Sequence, residues 1–249
     1  MSERWLLIEI GNTHAKFAVG SDGRIGRRRV RVPTGTLNAA TLELASARFR
    51  FDRAILCSVV PRASRHVRRS FGAALLEVSA SCDLGFSLAG YRQTKTIGAD
   101  RLANLAGALA AGVKLPLVAV DAGTATTFDV LDRALCFRGG VIAPGPEMFT
   151  DYLHTCAAQL PMVNVNPRRP PPVLGQSTGA AIAAAAVHGF RGMAREILGE
   201  IRTTLGVSNL NIVLAGGAAD WIDPAPADAL TRDPDLTLRG MLAIAHRNG

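Results

Sequence analysis

Apolar and polar positions along the chain fall into two successive runs of strand and helix signals. Trp5–Ile10 and His14–Val19, then Ile25–Val32 behind an Asp22-Gly23 turn, predict three strands. A helix over Thr36–Ala47 follows, then a strand at Ala54–Val60, a short basic helix near Ala63–Phe71 and a strand at Ala74–Val78. A looser stretch from Ser79 to Ile97 leads into a small-residue helix over Ala99–Ala111. The pattern then restarts. Strands are predicted at Leu117–Asp121, at Thr126–Leu131 and, past an Asp132-Arg133 turn, at Ala134–Phe137. Gly139-Gly140 and Ile142-Ala143-Pro144-Gly145 read as a loop leading into a helix over Glu147–Gln159, and the Pro-rich run Asn166–Pro172 reads as a second loop. A long Ala-rich helical region from Ser177 to Leu205, a strand at Ile212–Ala215 ending in Gly216-Gly217, and a helix over Arg239–His246 close the chain. The restart beyond Lys114-Leu115-Pro116 divides an α/β chain into two related domains, residues 1–115 and 116–249.

Each half opens on the same motif. Leu6-Leu7-Ile8-Glu9-Ile10-Gly11-Asn12-Thr13 is echoed by Val118-Ala119-Val120-Asp121-Ala122-Gly123-Thr124-Ala125. Aligning Gly11 with Gly123 sets Glu9 on Asp121 and Asn12 on Thr124. Each copy is an apolar strand, a carboxylate at its tip, a glycine turn and a returning strand. Glycine lets backbone N–H groups approach an anion closely, and a neighbouring carboxylate can hold a cation against that anion. Two such tips suit a nucleotide triphosphate and its metal. Either copy alone is an ordinary hairpin turn beside an acid; their repetition at domain spacing argues for function.

Composition narrows the picture. A 249-residue chain that is 48% hydrophobic, with 25 glycines, suits a compact α/β protein rather than a disordered or fibrous one. Its longest uninterrupted apolar run, Ala180–Val187, is far short of a membrane span, and the N-terminus lacks a signal-peptide core. A cytoplasmic protein is expected. The net charge of +8 invites a nucleic-acid reading. Only Lys16, Lys95 and Lys114 are lysines, and the arginine clusters (Arg24/Arg27/Arg28/Arg29/Arg31 and Arg62/Arg65/Arg68/Arg69) lack the interleaved aromatics that stack on bases. The basic residues therefore read as a solvated face that draws in anionic substrates. Cys57, Cys82, Cys136 and Cys156 show no metal-ligand spacing and read as buried thiols. His14, His154, His188 and His246 show none either.

Duplicated units of this kind resemble the actin-like ATPase superfamily, and within it the chain resembles the type III pantothenate kinases through nearly its whole length. The residues that carry the resemblance are Gly11-Asn12-Thr13 with Lys16, Tyr91 with Gly98-Ala99-Asp100-Arg101, and Asp121 through Thr127 with Asp129. Gly139 through Gly145, Leu160-Pro161 and Gly175-Gln176-Ser177-Thr178 continue it in the same order. The resemblance implies two ribonuclease-H-like domains with a nucleotide cleft between them. The implied reaction is transfer of the ATP γ-phosphoryl group to the terminal hydroxyl of pantothenate, the entry to coenzyme A. Glu9, Ile10, Gly11, Asn12, Thr13, His14, Ala15 and Lys16 would form the ATP-binding turn, with Thr124 bonding the phosphates from the second turn. Mg²⁺ would accompany ATP, and Asp121 would bind a monovalent cation, K⁺ or NH₄⁺. Asp100 matches the general base, while Tyr91, Gly98, Ala99, Asp100, Arg101 and Thr178 match the pantothenate site. In the family that site lies at a homodimer interface.

Glu9 departs from the family, which has aspartate there. Its added methylene moves the carboxylate about 1 Å or more, a displacement that can cost on the order of a hundredfold in rate. That departure and the arginine excess motivate a second reading, a nucleotide-binding regulator with weakened chemistry. Asp100, Arg101, Asp121, Thr124 and Thr178 together argue against it. A kinase acting on a different small carboxylate alcohol is the third.

Overall fold

A computed structural model of the chain describes residues 3–249. Its contacts divide the protein into two units. The first takes in the chain up to Lys114 with Arg133–Gly139 and Asp235–Gly249; the second takes in Leu115–Asp132 and Gly140–Pro234.

The first unit is built on β1 (Trp5–Ile10), whose Leu6, Ile8 and Ile10 are buried on one face and Trp5 and Leu7 on the other. Burial on both faces is what an almost continuous apolar run provides for. Only Glu9, at the tip, interrupts it. β2 (His14–Ser21) runs antiparallel to β1 and carries β3 (Arg24–Ile25) and β4 (Val30–Pro33). After α1 (Ala39–Ser46), β5 (Arg53–Ser58) pairs parallel with the other side of β1; α2 (Pro61–Phe71) and β6 (Leu75–Glu77) follow, then α3 (Ala99–Ala110). Ile8, Ile10 and Phe17 pack with Leu42 of α1 and Val67 of α2 in one apolar cluster.

The single strand expected over Ile25–Val32 is two short ones. Gly26 N–H donates to the Val19 carbonyl at 2.7 Å, and the chain leaves the ladder until Val30 rejoins β2 opposite Phe17. The first helix starts later than expected because Asn38 caps it. Asn38 Oδ1 accepts the Thr41 N–H at 3.0 Å, and Thr41 Oγ1 accepts the Asn38 N–H at 2.8 Å.

The second unit repeats the plan. β7 (Leu117–Ala122) pairs antiparallel with β8 (Ala125–Leu131), and β9 (Phe137–Pro144) continues the sheet. The helices α4 (Glu147–Cys156), α5 (Thr178–Ala184) and α6 (Phe190–Leu205) lead to β10 (Asn211–Ala215), which is parallel to β7, and β11 (Ala229–Arg232) beyond it. The register puts Asp121 opposite Thr127 and Ala215, just as it puts Glu9 opposite Lys16 and Cys57. The two acids hold equivalent places in two equivalent sheets, so the repeated turn reflects a duplicated architecture.

Two local expectations are corrected. Leu135, at a φ of 57°, extends the turn after β8, so the next strand is Phe137–Pro144 rather than Ala134–Phe137, and it runs through residues expected to form a loop. As the outer strand of its sheet it tolerates Gly139, Gly140 and Pro144. The Ala-rich region is helical over the expected span, as α5 and α6 joined through a π turn at Ala185–Gly189. Only Cys57 is a buried thiol, whereas Cys82 and Cys136 are half-buried and Cys156 is exposed.

The last helix, α7 (Leu236–Asn248), begins before the expected Arg239 and crosses α3 at glycines. A side-chain carbon on Gly107 would strike the Leu236 carbonyl, and one on Gly240 would strike the Ala103 carbonyl. Beside the crossing, Thr237 Oγ1 donates to Asn104 Oδ1 at 2.7 Å, both residues being buried. The expected division is a single cut into 1–115 and 116–249; by contacts, Arg133–Gly139 and Asp235–Gly249 group with the first unit. Among the described residues no helix is long and apolar enough to cross a membrane.

Candidate functional site

At the tip of β1 the chain turns through Gly11, Asn12 and Thr13, and the turn is closed by Gly11 N–H donating to the His14 carbonyl at 3.0 Å. Ile10 and Ala15, on either side, point into the apolar core, so only their backbone can meet a ligand. Asn12 and Thr13 are exposed, and Gly11 and His14 half-buried. Glu9 and Lys16 face each other directly across the ladder. The Lys16 ammonium donates to both Glu9 oxygens, at 2.9 and 3.2 Å. The glutamate side chain thus reaches across to the opposite strand's lysine. Glu9 is the more buried partner, its side chain 16% exposed against 36% for Lys16.

The other expected residues of the first unit gather at the start of α3. The Ile10 carbonyl accepts the Val59 N–H at 3.1 Å, and a side-chain carbon on Gly98 would stand 3.8 Å from Val59, so α3 begins beside the tip of β1. That carbon would also lie 2.6 Å from Asp100 Oδ1, so a side chain there would push the Asp100 carboxylate aside. Asp100 Oδ1 accepts the Arg101 N–H at 2.8 Å, fixing the carboxylate at the helix's first turn. Arg101 is buried, with its guanidinium carbon 5.7 Å from the centre of the Phe137 ring. Tyr91 stacks on that same ring, centroid to centroid 5.1 Å at 26°. Gly139 follows close by, a side-chain carbon there standing 3.8 Å from the Tyr91 ring. Sequence reasoning gave Phe137 no role beyond ending a strand. Here it is the plate that joins Tyr91 to Arg101, brought in by the returning segment Arg133–Gly139.

In the second unit, Gly123 N–H donates to the Ala125 carbonyl at 3.0 Å and Thr124 is exposed at the turn. The Thr124 carbonyl accepts the Gly145 N–H at 3.0 Å, and the Ala122 carbonyl accepts the Ala218 N–H at 2.8 Å. Gly216 lies against Asp121, so the turn after β7 and the glycine pair after β10 are neighbours. Asp121 is half-buried, and its Oδ1 and the Ala122 carbonyl both lie against Gly216; oxygen donors of this kind are what hard cations take. Thr178 is exposed at the first position of α5, whose cap Ser177 accepts the Ala180 N–H at 3.2 Å. Asp121, Thr124 and Thr178 belong to the second unit; the remaining expected site residues belong to the first.

Among the described residues no three His, Cys, Asp or Glu side chains converge as a metal cage. Mg²⁺ is usually held by one or two carboxylates together with phosphate and water oxygens, and Glu9 and Asp121 are the carboxylates at the ends of β1 and β7.

A sequence profile of the type III pantothenate kinase family matches residues 5–200. The chain is 38% identical over 244 residues to a type III pantothenate kinase from Akkermansia muciniphila, covering 98% of this chain and 99% of that one. It is 36% identical over 240 residues to another from Methylacidiphilum infernorum, covering 96% and 87%. Among solved structures, a ROK family glucokinase from Streptomyces griseus in complex with glucose and AMPPNP superposes with a TM-score of 0.54 at 12% identity, over 98% of both chains. At that identity the likeness is one of fold, and it fits the two ribonuclease-H-like domains seen here.

Proposed function

The chain belongs to the type III pantothenate kinase family, and from that membership we infer how its residues divide the work of phosphorylating pantothenate with ATP. The observation that carries the assignment is the gathering of Lys16, Asp100, Arg101 and Tyr91 within the first unit, with α3 starting beside the tip of β1. The backbone of Gly11–Thr13 and the Lys16 ammonium hold the ATP phosphates, and Thr124 bonds them from the second turn. Glu9 aligns Lys16 and, with ATP bound, would be a carboxylate available to Mg²⁺. Mg²⁺, when bound with ATP, neutralises phosphate charge. Asp100 takes the proton from the attacking hydroxyl. Arg101 presents a planar fork to the pantothenate carboxylate, held in orientation by Phe137, with Tyr91, Gly98 and Ala99 beside it. Phosphoryl transfer needs alignment and charge neutralisation rather than covalent help, and these residues supply both.

Asp121 holds the monovalent cation in this reading, and Thr178 reaches pantothenate from a second copy of the chain. Among the described residues, seven of the ten exposed large apolar side chains lie between Val141 and Leu174, including Ile142, Tyr152 and Leu174, which supports an interface there. Sedimentation at micromolar concentration is expected to give twice the 26.2 kDa chain mass. A fully active monomer would remove Thr178 from the site. The reading places the enzyme in the cytoplasm, where ATP and the demand for coenzyme A meet. Nucleic acid has no part in it. Arg29 is paired with Asp235 at 2.7 Å, and Arg68 grips Glu77 through two bonds of 2.8 and 2.7 Å, which raise its already high pKa. The sequence relatives compared above carry the name of the kinase, not of a regulator.

The test is coupled ADP release at high ATP and Mg²⁺, with and without pantothenate, in potassium and then in sodium buffer. ADP release is expected only with pantothenate, and faster in potassium or ammonium than in sodium. Equal rates in sodium and potassium would take the cation role from Asp121.

A further inference from the structure

Thr34 lies in a Pro-Thr-Gly-Thr turn with no periodic signal and no chemistry of its own in the sequence. In the structure it is 7% exposed and makes two hydrogen bonds to the turn between β1 and β2. Its Oγ1–H donates to the Gly11 carbonyl at 2.7 Å, and its N–H donates to the Thr13 carbonyl at 3.0 Å. Resting on the kinase reading above, we propose that Thr34 is a positioning residue for the nucleotide turn, aiming its backbone amides at the phosphates.

In a trans peptide the C=O and the following N–H point in opposite directions within one plane. Fixing the Gly11 carbonyl toward Thr34 therefore turns the Asn12 N–H away from it, and fixing the Thr13 carbonyl does the same for the His14 N–H. An anion-binding turn needs this polarity, because a carbonyl dipole swung toward a phosphate repels it. Gly11, lacking a side chain, has the backbone freedom to present either face. Thr34 supplies the choice from outside the turn. It is itself held, since Pro33 pairs with His14 at the end of β4 and the Thr34 carbonyl accepts the Leu37 N–H at 3.1 Å. Thr34 touches no reacting atom in this account; it acts through the turn.

Thr34→Val keeps the shape and the backbone N–H but removes the hydroxyl donor, leaving the Gly11 carbonyl unanswered. Thr34→Ser keeps the hydroxyl. The valine variant is expected to raise the KM for ATP about five- to tenfold, the scale of one lost hydrogen bond. The KM for pantothenate should stay within about twofold, and the serine variant should stay near wild type for both substrates. Melting curves for all three proteins show whether the fold is shared. A valine variant with wild-type KM for ATP, or one in which both KM values rise equally, would overturn the proposal and leave Thr34 a packing residue. Saturation-transfer NMR with ADP and Mg²⁺ separates the two levels of the account. Wild-type protein that binds ADP without phosphorylating pantothenate sinks the substrate assignment, and Thr34→Val is then judged on ADP binding alone. Wild-type protein that binds no nucleotide overturns both.

Discussion

Asp100→Asn is expected to reduce turnover by about 10²–10⁴-fold, the usual contribution of a positioned general base, while ATP binding and folding stay intact. The swap is close to isosteric. Asparagine can still accept the Arg101 N–H through Oδ1, as Asp100 does at 2.8 Å, so the start of α3 is preserved. What is lost is the ability to take a proton. Arg101, Phe137 and Tyr91 are untouched, and the KM for pantothenate should change far less than kcat. Steady-state kinetics with a melting curve settle it. A variant retaining more than about a tenth of the wild-type rate would contradict a base of that strength.

Lys16→Met is expected to lower kcat/KM for ATP by about a hundredfold, the cost of removing one donor aimed at developing charge. Methionine keeps the length and apolar stem of lysine and removes the ammonium. It also leaves Glu9, the more buried partner, without the ammonium that both its oxygens contact at 2.9 and 3.2 Å. Glu9→Asp probes the same pair from the other side. The shorter carboxylate falls short of Lys16 across the ladder, so the expected result is a loss in kcat/KM for ATP, smaller than that of Lys16→Met. Charge is conserved in this swap, so it isolates reach from electrostatics. A tenfold gain in Glu9→Asp would show instead that the added methylene impairs the enzyme, and unchanged kinetics across a Mg²⁺ titration would place Glu9 away from the metal.

The features legible in the sequence were those set by local pattern. β1 and β7 announce themselves as apolar runs because both faces are buried, and the acid-glycine tips stand out because polar residues interrupt those runs. Gly98-Ala99-Asp100-Arg101 could be placed at a helix start because small, helix-favouring residues follow it. Less visible was whatever depends on a distant partner. Phe137 carries Tyr91 and Arg101, yet a phenylalanine at a strand end has no sequence signature for that role. Thr34 grips carbonyls 23 and 21 positions earlier in the chain. β11 was missed because Ala229–Arg232 is exposed throughout and shows no alternation. The return of α7 to the first unit hangs on Gly107 meeting Gly240, two glycines that read separately as ordinary small residues.

The most direct measurement is mass spectrometry with ³¹P NMR on a reaction of the wild-type protein with ATP, Mg²⁺, K⁺ and pantothenate. The account predicts ADP and a singly phosphorylated pantothenate in equal amounts, with the phosphoryl group on the terminal hydroxyl and no ADP when pantothenate is withheld. ADP accompanied only by inorganic phosphate, or pantothenate recovered unchanged while ATP is consumed, would contradict it.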